Sequence, residues 1–140
     1  MKENKFFKKL TLLMYLSLAF SLLIFIYLYL NMLKYEFDLN TLLKLNPLFA
    51  LLMLIAALNM IEAYIIYIIK KTEIHIIKAN LLVMLISQCL SLNLFMILYL
   101  LYLNLSLKEY KFDFKKVNLL NYFNLIIAII CFIVTLRLNF

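Results

Sequence analysis

The chain has 140 residues, of which 68% are hydrophobic and 15% are charged, and its mean hydropathy is +1.04. A soluble domain of this size is closer to half apolar, so the composition excludes a large soluble domain and indicates an integral membrane protein. The net charge of +7 fits lysines that face anionic headgroups. No soluble aromatic platform lies among the basic residues, so nucleic acid is not an expected partner.

Four apolar runs are long enough to cross a hydrocarbon core, which takes about 20 helical residues. We place them near residues 10–33, 48–69, 77–103 and 117–138. These runs are apolar on all faces, whereas the strands of a membrane barrel alternate between apolar and polar residues. The sequence therefore predicts an all-α membrane protein, a bundle of four transmembrane helices that forms a single transmembrane domain over residues 1–140.

The first run extends well past 20 residues and has no small-x-small site after a short core, so we expect it to be a retained span and not a signal peptide. With four crossings, the basic residues divide eight to six. The larger group is Lys2, Lys5, Lys8, Lys9, Lys70, Lys71, Lys78 and Arg137. This bias predicts that both termini face the cytoplasm, or the matrix in a mitochondrion.

The second run contains Glu62, the only acidic residue in any predicted span. A carboxyl group inside a span faces a bundle interior, a partner subunit or a water pocket. Asn59 lies three residues earlier on the same helical face, and the small residues Ala56 and Ala63 extend that face. Two interpretations stay open: Glu62 belongs to a proton or ion path, or it anchors a neighbouring helix by hydrogen bonds.

The third and fourth runs also carry polar and small residues at helical spacing. Ser87 and Ser91 lie four residues apart, as do Cys89 and Asn93, and Gln88 lies between these two stripes. In the fourth run one continuous stripe consists of Asn121, Asn124, Ala128, Cys131 and Thr135. Stripes of this kind are typical of helix-packing seams in membranes, so we predict that both face other helices.

No catalytic or cofactor site can be assembled from these residues. Cys89 and Cys131 lie in apolar runs without CxxC spacing, which predicts neither a metal site nor a disulfide. His75 is the only histidine, and a low-spin bis-histidine haem would need a second one. We therefore expect a chain that is non-catalytic by itself and binds no cofactor of its own.

The residue usage favours amino acids with A/T-rich codons. Leu, Ile, Phe, Tyr, Asn and Lys dominate, while the chain has no Gly and one Pro. Such a bias indicates the genome of an organelle or of a low-GC bacterium. The expected location is accordingly the mitochondrial inner membrane, with the bacterial plasma membrane as the alternative.

Residues 79–92, ANLLVMLISQCLSL, resemble the second helix of the smallest membrane-arm subunit of respiratory complex I, the NADH dehydrogenase subunit 4L or K family. In that family a basic or polar turn leads into Asn, a Leu/Ile/Met run, Ser and an intramembrane Glu. The ending ICFIVTLRLNF is similar to the end of the family's third helix. The resemblance covers a three-helix core over residues 48–138, and residues 1–45 would be an extra N-terminal span and loop.

The resemblance implies a polar axis for proton translocation, from which this chain departs. The family carries a functional glutamate in each of two helices, and the aligned positions here are Cys89 and Asn124. Neither residue is a carboxylate, so either Glu62 would substitute from the neighbouring helix or partner subunits would carry the path. On this interpretation Glu62, Asn59, Gln88, Cys89 and Asn124 line or flank the axis.

The expected function is thus that of a membrane-arm subunit of a proton-pumping NADH:ubiquinone oxidoreductase, packed in lipid against other hydrophobic membrane subunits. One alternative is a hydrophobic subunit of cytochrome oxidase, succinate dehydrogenase or ATP synthase. Another is a stand-alone small bacterial membrane protein, such as a bacteriocin immunity protein or a holin. A small transporter is a further alternative, although helices without Gly or an internal Pro offer no obvious broken-helix site.

Overall fold

The computed structural model describes the backbone of residues 2–139 and the side chains of residues 5–139. Within that part the chain forms six α-helices, one 3₁₀ turn at Phe114–Lys116, and no strand. The helices are α1 (Lys2–Tyr35), α2 (Leu39–Leu45), α3 (Pro47–Ile69), α4 (Ile74–Ser91), α5 (Leu94–Ser106) and α6 (Leu119–Asn139). Four of them, α1, α3, α4 and α6, are long and apolar enough to cross a membrane, which confirms the predicted all-α membrane fold.

The loop before α3 contains a short helix, α2, that the sequence analysis did not predict. Asp38 begins the short helix α2, where its side chain accepts a hydrogen bond from the backbone N–H of Thr41 at 2.8 Å. Asn46 then caps α3 by accepting a hydrogen bond from Leu48 N–H at 3.0 Å. Pro47 occupies the first turn of α3, where its missing N–H costs little. Side-chain caps thus set both helix starts.

The third apolar run is not one helix, which corrects the predicted span 77–103. It divides into α4 and α5 at Leu92, whose φ of 61° is left-handed. Asn93 then caps α5 by accepting a hydrogen bond from Met96 N–H at 3.4 Å. Glycine is the usual residue at a left-handed helix end, and a chain without glycine gives no such signal. Continuous hydropathy therefore concealed the turn.

Helix α5 runs back along α4. Near the start of α4, Lys78 Nζ donates to the carbonyl of Asn104, and Asn104 Nδ2 donates to the carbonyl of Leu81, both at 3.2 Å. The two helices share an apolar core whose fully buried members include Leu81, Met84, Met96, Leu100 and Leu103. With 13 residues, α5 is about 20 Å long, shorter than a hydrocarbon core of about 30 Å. Helices α4 and α5 therefore form an antiparallel hairpin.

The tip of this hairpin lies opposite the middle of α1. Phe95, in the first turn of α5, packs against Phe20 with ring centroids 5.7 Å apart, while α1 continues to Tyr35. Beyond the tip, α1 packs instead on α2 and α3 through Leu28, Leu42 and Phe49. The hairpin thus enters and leaves at one end of the bundle and does not reach the other end.

The hairpin decides where the last helix begins. Asn118 N–H donates to Asn80 Oδ1 at 2.9 Å, so the start of α6 lies beside the second turn of α4. The start of α1 lies at the same end, because Tyr99 Oη donates to the carbonyl of Lys9 at 2.9 Å. Helices α1 and α6 therefore begin at one end, and the described chain ends, Lys2 and Asn139, lie at opposite ends of the bundle. This departs from the prediction of termini on one side, which counted 77–103 as a single crossing.

The corrected path concentrates the basic residues at one end. We call this the basic end and define it by residues 2–9, 70–78 and 107–118. It holds 11 of the 14 basic residues, and only Lys34, Lys44 and Arg137 lie at the other end. The eight-to-six division expected from four crossings therefore becomes eleven to three, a much stronger asymmetry.

We predict that position 111 is accessible from the same side of the membrane as position 71. Single cysteines replace Lys71, Lys111, Lys44 and Asn139 in a chain whose Cys89 and Cys131 are changed to alanine. An impermeant maleimide applied to sealed vesicles of known orientation should label Lys71→Cys and Lys111→Cys from one side, and Lys44→Cys and Asn139→Cys from the other. Labelling of positions 44 and 111 from the same side would instead support an unbroken helix over 77–103.

We also predict that Leu92→Gly is more stable than Leu92→Ala, by about 1 kcal/mol, because a Cβ atom is disfavoured in the left-handed conformation. Leu92 is 56% exposed, so both variants lose a similar, small packing contribution. The measurement is reversible unfolding in detergent. Equal stability of the two variants would argue that residue 92 is not left-handed.

Candidate functional site

Three helices bring a buried polar cluster together in the middle of the bundle. It consists of Asn59 and Glu62 from α3, Gln88 and Ser91 from α4, and Asn124 from α6. The side chains of Asn59, Glu62, Gln88 and Asn124 are fully buried, and Ser91 is 9% exposed. We call these five residues the Glu62 cluster. Four of them lie near the tip of the α4–α5 hairpin or on the face of α3 that meets it.

Gln88 is the residue that joins the cluster. Its Nε2 donates to Asn59 Oδ1 at 3.0 Å and to Glu62 Oε2 at 2.5 Å. Its Oε1 accepts a hydrogen bond from Ser91 Oγ at 3.3 Å. Its backbone carbonyl accepts from the backbone N–H of Asn93, also at 3.3 Å. One residue thus connects the face of α3 to the turn that reverses the chain.

Asn124 approaches the other carboxyl oxygen. Its Nδ2 donates to Glu62 Oε1 at 3.5 Å, so each oxygen of Glu62 faces an amide from a different helix. The amides supply dipoles and no compensating charge. Uptake or loss of a proton by Glu62 therefore changes the charge of this region by one unit.

The amide of Asn124 can serve either form of the carboxyl group. In the present arrangement its N–H donates to Glu62, while its buried Oδ1 has no hydrogen-bond partner among the described residues. The two ends of an asparagine amide have nearly the same shape, so rotation by half a turn exchanges them. The oxygen would then face Glu62 and accept a hydrogen bond from a protonated carboxyl. This geometry suits a group that gains and releases a proton.

The local sequence explains why the helices approach so closely here. Ala56 and Ala63 on α3 and Ala128 on α6 are buried, and they flank the polar residues of their helices. Small side chains let helix backbones come near enough for short amides to reach across. Ser21 of α1 adds a further link by donating to the carbonyl of Ala56 at 2.8 Å.

The structure does not bring Cys89 into this cluster. Cys89 is exposed on the outer face of α4, although the residue before it is fully buried. Consecutive residues of a helix point about 100° apart, so Gln88 and Cys89 cannot face the same neighbour. Of the five residues proposed for the polar axis, Asn59, Glu62, Gln88 and Asn124 meet, and Cys89 lies apart from them.

The residues proposed for helix packing lie mainly on buried faces. Ser87, Ser91, Asn121, Ala128 and Cys131 are buried, and Thr135 is half-buried. Ser87 Oγ donates to the carbonyl of Val83 in its own helix, and Thr135 Oγ1 donates to that of Cys131. Asn121 instead crosses between helices, as its Nδ2 donates to the backbone carbonyl of Asn80 at 2.9 Å.

Asn80 is a polar junction that the sequence interpretation did not include among the site residues. Its Oδ1 accepts hydrogen bonds from Asn118 N–H at 2.9 Å and from Asn121 Nδ2 at 3.1 Å. Its Nδ2 donates to the carbonyls of Ile76 and Lys116. Its fully buried amide therefore fixes the start of α6 against α4. The available signal was an asparagine at the beginning of an apolar run, but its partners lie far away in sequence.

Metal ligands do not cluster in the part of the chain that the structure describes, since no group of three His, Cys, Asp or Glu residues is suited to hold an ion there. His75 lies at the basic end, edge-on to the ring of Tyr110 with centroids 5.1 Å apart. The absence of a cofactor stays a prediction. The Glu62 cluster is the best-defined chemical feature of the bundle.

Comparison with known proteins gives no relative: no family model, no curated protein and no solved structure matches the chain. The similarity of residues 79–92 to subunit 4L therefore stays an expectation. The functional argument rests on the geometry of the bundle itself.

We predict that Gln88→Leu lowers the free energy of unfolding by about 1–2 kcal/mol, because the amide oxygen of Asn59 and one carboxyl oxygen of Glu62 lose their donor in a buried place. Ser87→Ala is the matched control on the same helix, since Ser87 bonds only within α4. It should change stability by less than about 0.5 kcal/mol.

A double variant separates the hydrogen bond from the loss of volume. If Gln88 supports Glu62, then Glu62→Leu should cost less in a Gln88→Leu chain than in the original chain. Additive effects in reversible unfolding in detergent would show that the two side chains do not depend on each other.

Proposed function

We propose that this multi-pass membrane protein is a membrane-arm subunit of a proton-translocating NADH:quinone oxidoreductase, similar to subunit 4L, with Glu62 as the proton-binding group of its intramembrane axis. The observation that carries the proposal is the fully buried carboxyl group, held by Gln88 from α4 and Asn124 from α6. Intramembrane carboxyl groups that face a bundle interior are typical of proton relays.

The position of Glu62 supports the substitution that the resemblance requires. If the resemblance holds, Asn124 stands at the place of one family glutamate, and its amide lies 3.5 Å from Glu62 Oε1. A carboxyl group from α3 would then be available where α6 lacks one. The other aligned position, Cys89, is exposed on the bundle surface. That stretch of the axis would have to be completed by a partner subunit that packs on α4.

Proton transfer through this site requires a change in the bundle or in its partners. The four principal side chains of the Glu62 cluster have no exposed surface. A proton could reach Glu62 through water admitted by helix movement, with the Asn124 amide rotating as the carboxyl changes form. The chain would supply the proton-binding group, and any redox cofactor would belong to other subunits.

The distribution of lysines supports an orientation. The basic end carries 11 of 14 basic residues, and short loops rich in Lys and Arg stay on the cytoplasmic side of a membrane. We infer that the basic end faces the matrix of a mitochondrion or the bacterial cytoplasm. The N-terminus then lies on that side and the C-terminus on the opposite side.

One observation favours a second candidate, a stand-alone small bacterial membrane protein such as an immunity protein or a holin. The polar residues of the Glu62 cluster are satisfied mainly within one chain, by α3, α4 and α6. A subunit whose polar axis continues into neighbours would be expected to present such residues at its surface. On this interpretation Glu62 is a hydrogen-bonding anchor.

Assembly state distinguishes these candidates directly. Native membranes are extracted in a mild detergent and separated on a native gel, which is stained for NADH dehydrogenase activity and analysed by peptide mass spectrometry. We expect this chain in the active high-mass band. Its presence in a different large band would support a subunit of another respiratory complex. Migration alone at low mass would support the stand-alone protein and reject the proposal.

We predict that Glu62→Gln leaves the chain in its assembly but lowers NADH-driven proton translocation at least about tenfold, because glutamine has nearly the same shape and cannot carry an exchangeable acid proton. Proton uptake in sealed vesicles is compared with NADH oxidation. The control is Glu73→Gln, which removes an exposed carboxyl that makes no capping hydrogen bond. Unchanged translocation with intact assembly would assign Glu62 a purely structural role.

A further inference from the structure

A groove opens at the basic end between the first turns of α1, the start of α4 and the end of α5. Its volume is about 450 Å³. Two lysines, Lys5 and Lys9, line it together with the apolar side chains of Phe6, Phe7 and Leu107. Glu109 also lines the groove, so the positive charges exceed the negative ones by one. The groove therefore combines positive charge with an apolar wall at the edge of the membrane.

Below the groove, α1 and α5 meet through long side chains. Lys9 Nζ donates to Tyr102 Oη at 2.6 Å and lies 4.7 Å from the centre of that ring. Further along, Phe95 packs on Phe20. These helices are not among the closely packed pairs of the bundle, which include α1 with α3 and α4 with α5. Their inward side chains nonetheless share one apolar core that includes Leu10, Leu13 and Leu100, so the two helices are in contact below the groove.

The outer surfaces of α1 and α5 carry exposed apolar side chains. Leu12 of α1 and Leu98 and Leu105 of α5 are each at least half exposed. In a membrane these side chains contact acyl chains. A molecule that fills the groove and lies along these side chains must therefore have a polar, negatively charged head and a long apolar tail.

We propose that this groove is a binding site for an anionic phospholipid of the leaflet at the basic end. The phosphate lies between the ammonium groups of Lys5 and Lys9, and an acyl chain lies along the exposed apolar side chains on the outer surface of α1 and α5. Lys9 is held in place by Tyr102, and an ammonium group retains further N–H donors for a phosphate oxygen. Basic pockets between helices on this side of a membrane suit such headgroups.

The apolar wall favours a lipid over free phosphate. The side chains of Phe6 and Phe7 have no charge or hydrogen-bond donor for a soluble anion, but they can cover the glycerol and upper acyl carbons of a lipid. The site involves α1 and the hairpin, whereas the Glu62 cluster involves α3, α4 and α6. The proposal is therefore independent of the proposed proton-binding role.

The chain contains no tryptophan, so one introduced tryptophan reports on one place. Phe6→Trp puts the probe in the groove. The matched control is Phe123→Trp, on the exposed face of α6 in its second turn and outside the groove. The full chain is reconstituted in phosphatidylcholine vesicles with small amounts of brominated phosphatidylglycerol or brominated phosphatidylcholine. Quenching of tryptophan fluorescence then gives the local preference for the anionic lipid.

We expect the tryptophan of the Phe6→Trp chain to prefer phosphatidylglycerol over phosphatidylcholine by about fivefold per contributing lysine. Adding Lys5→Gln with Lys9→Gln should reduce it to the value of the Phe123→Trp chain, whereas Lys115→Gln with Lys116→Gln should leave it unchanged. Lys9→Arg should also retain it, which guards against loss through misfolding. Equal preference at both probes would mean that the charge of the whole basic end attracts the lipid, and would overturn the proposal. Abolition by millimolar inorganic phosphate would identify a free-anion site and overturn it too.

Discussion

The reversal of the chain at Leu92 and Asn93 is the constraint on which the rest of the bundle depends. A turn within an apolar layer must pair its backbone groups inside the protein. Here Leu92 adopts a left-handed conformation, the N–H of Asn93 donates to the carbonyl of Gln88, and the Asn93 side chain caps α5. Because α5 then returns along α4, α6 must begin at the basic end. The opposite placement of the termini and the concentration of lysines both follow from that one turn.

The same turn is tied to the buried chemistry. Gln88 accepts the N–H of Asn93 through its backbone and contacts Asn59 and Glu62 through its side chain. The Glu62 carboxyl is therefore connected through Gln88 to the tip of the hairpin, where Leu92 is strained and exposed. The geometry thus links a group that can carry a proton to the turn that reverses the chain.

The hairpin also shapes the outer surface. Helix α5 packs on α1 through a shared apolar core and through Lys9, Tyr99, Tyr102 and the Phe20–Phe95 pair, and the groove opens beside these contacts at the basic end. Lipid in that groove would cover exposed apolar side chains of both helices. The exposed apolar faces of α1 and α6 remain available to lipid or to neighbouring subunits.

The sequence by itself determined the membrane class, the all-α fold, the second and fourth spans to within two residues, and the face that joins Asn59 to Glu62, because these depend on composition and on periodicity within one helix. Only the tertiary structure decided the break at Leu92, which a continuous apolar run without glycine conceals. It also decided the meeting of Glu62 with Gln88 and Asn124, the outward position of Cys89 and the role of Asn80. Those features depend on the rotation and direction of separate helices, which hydropathy along the chain does not specify.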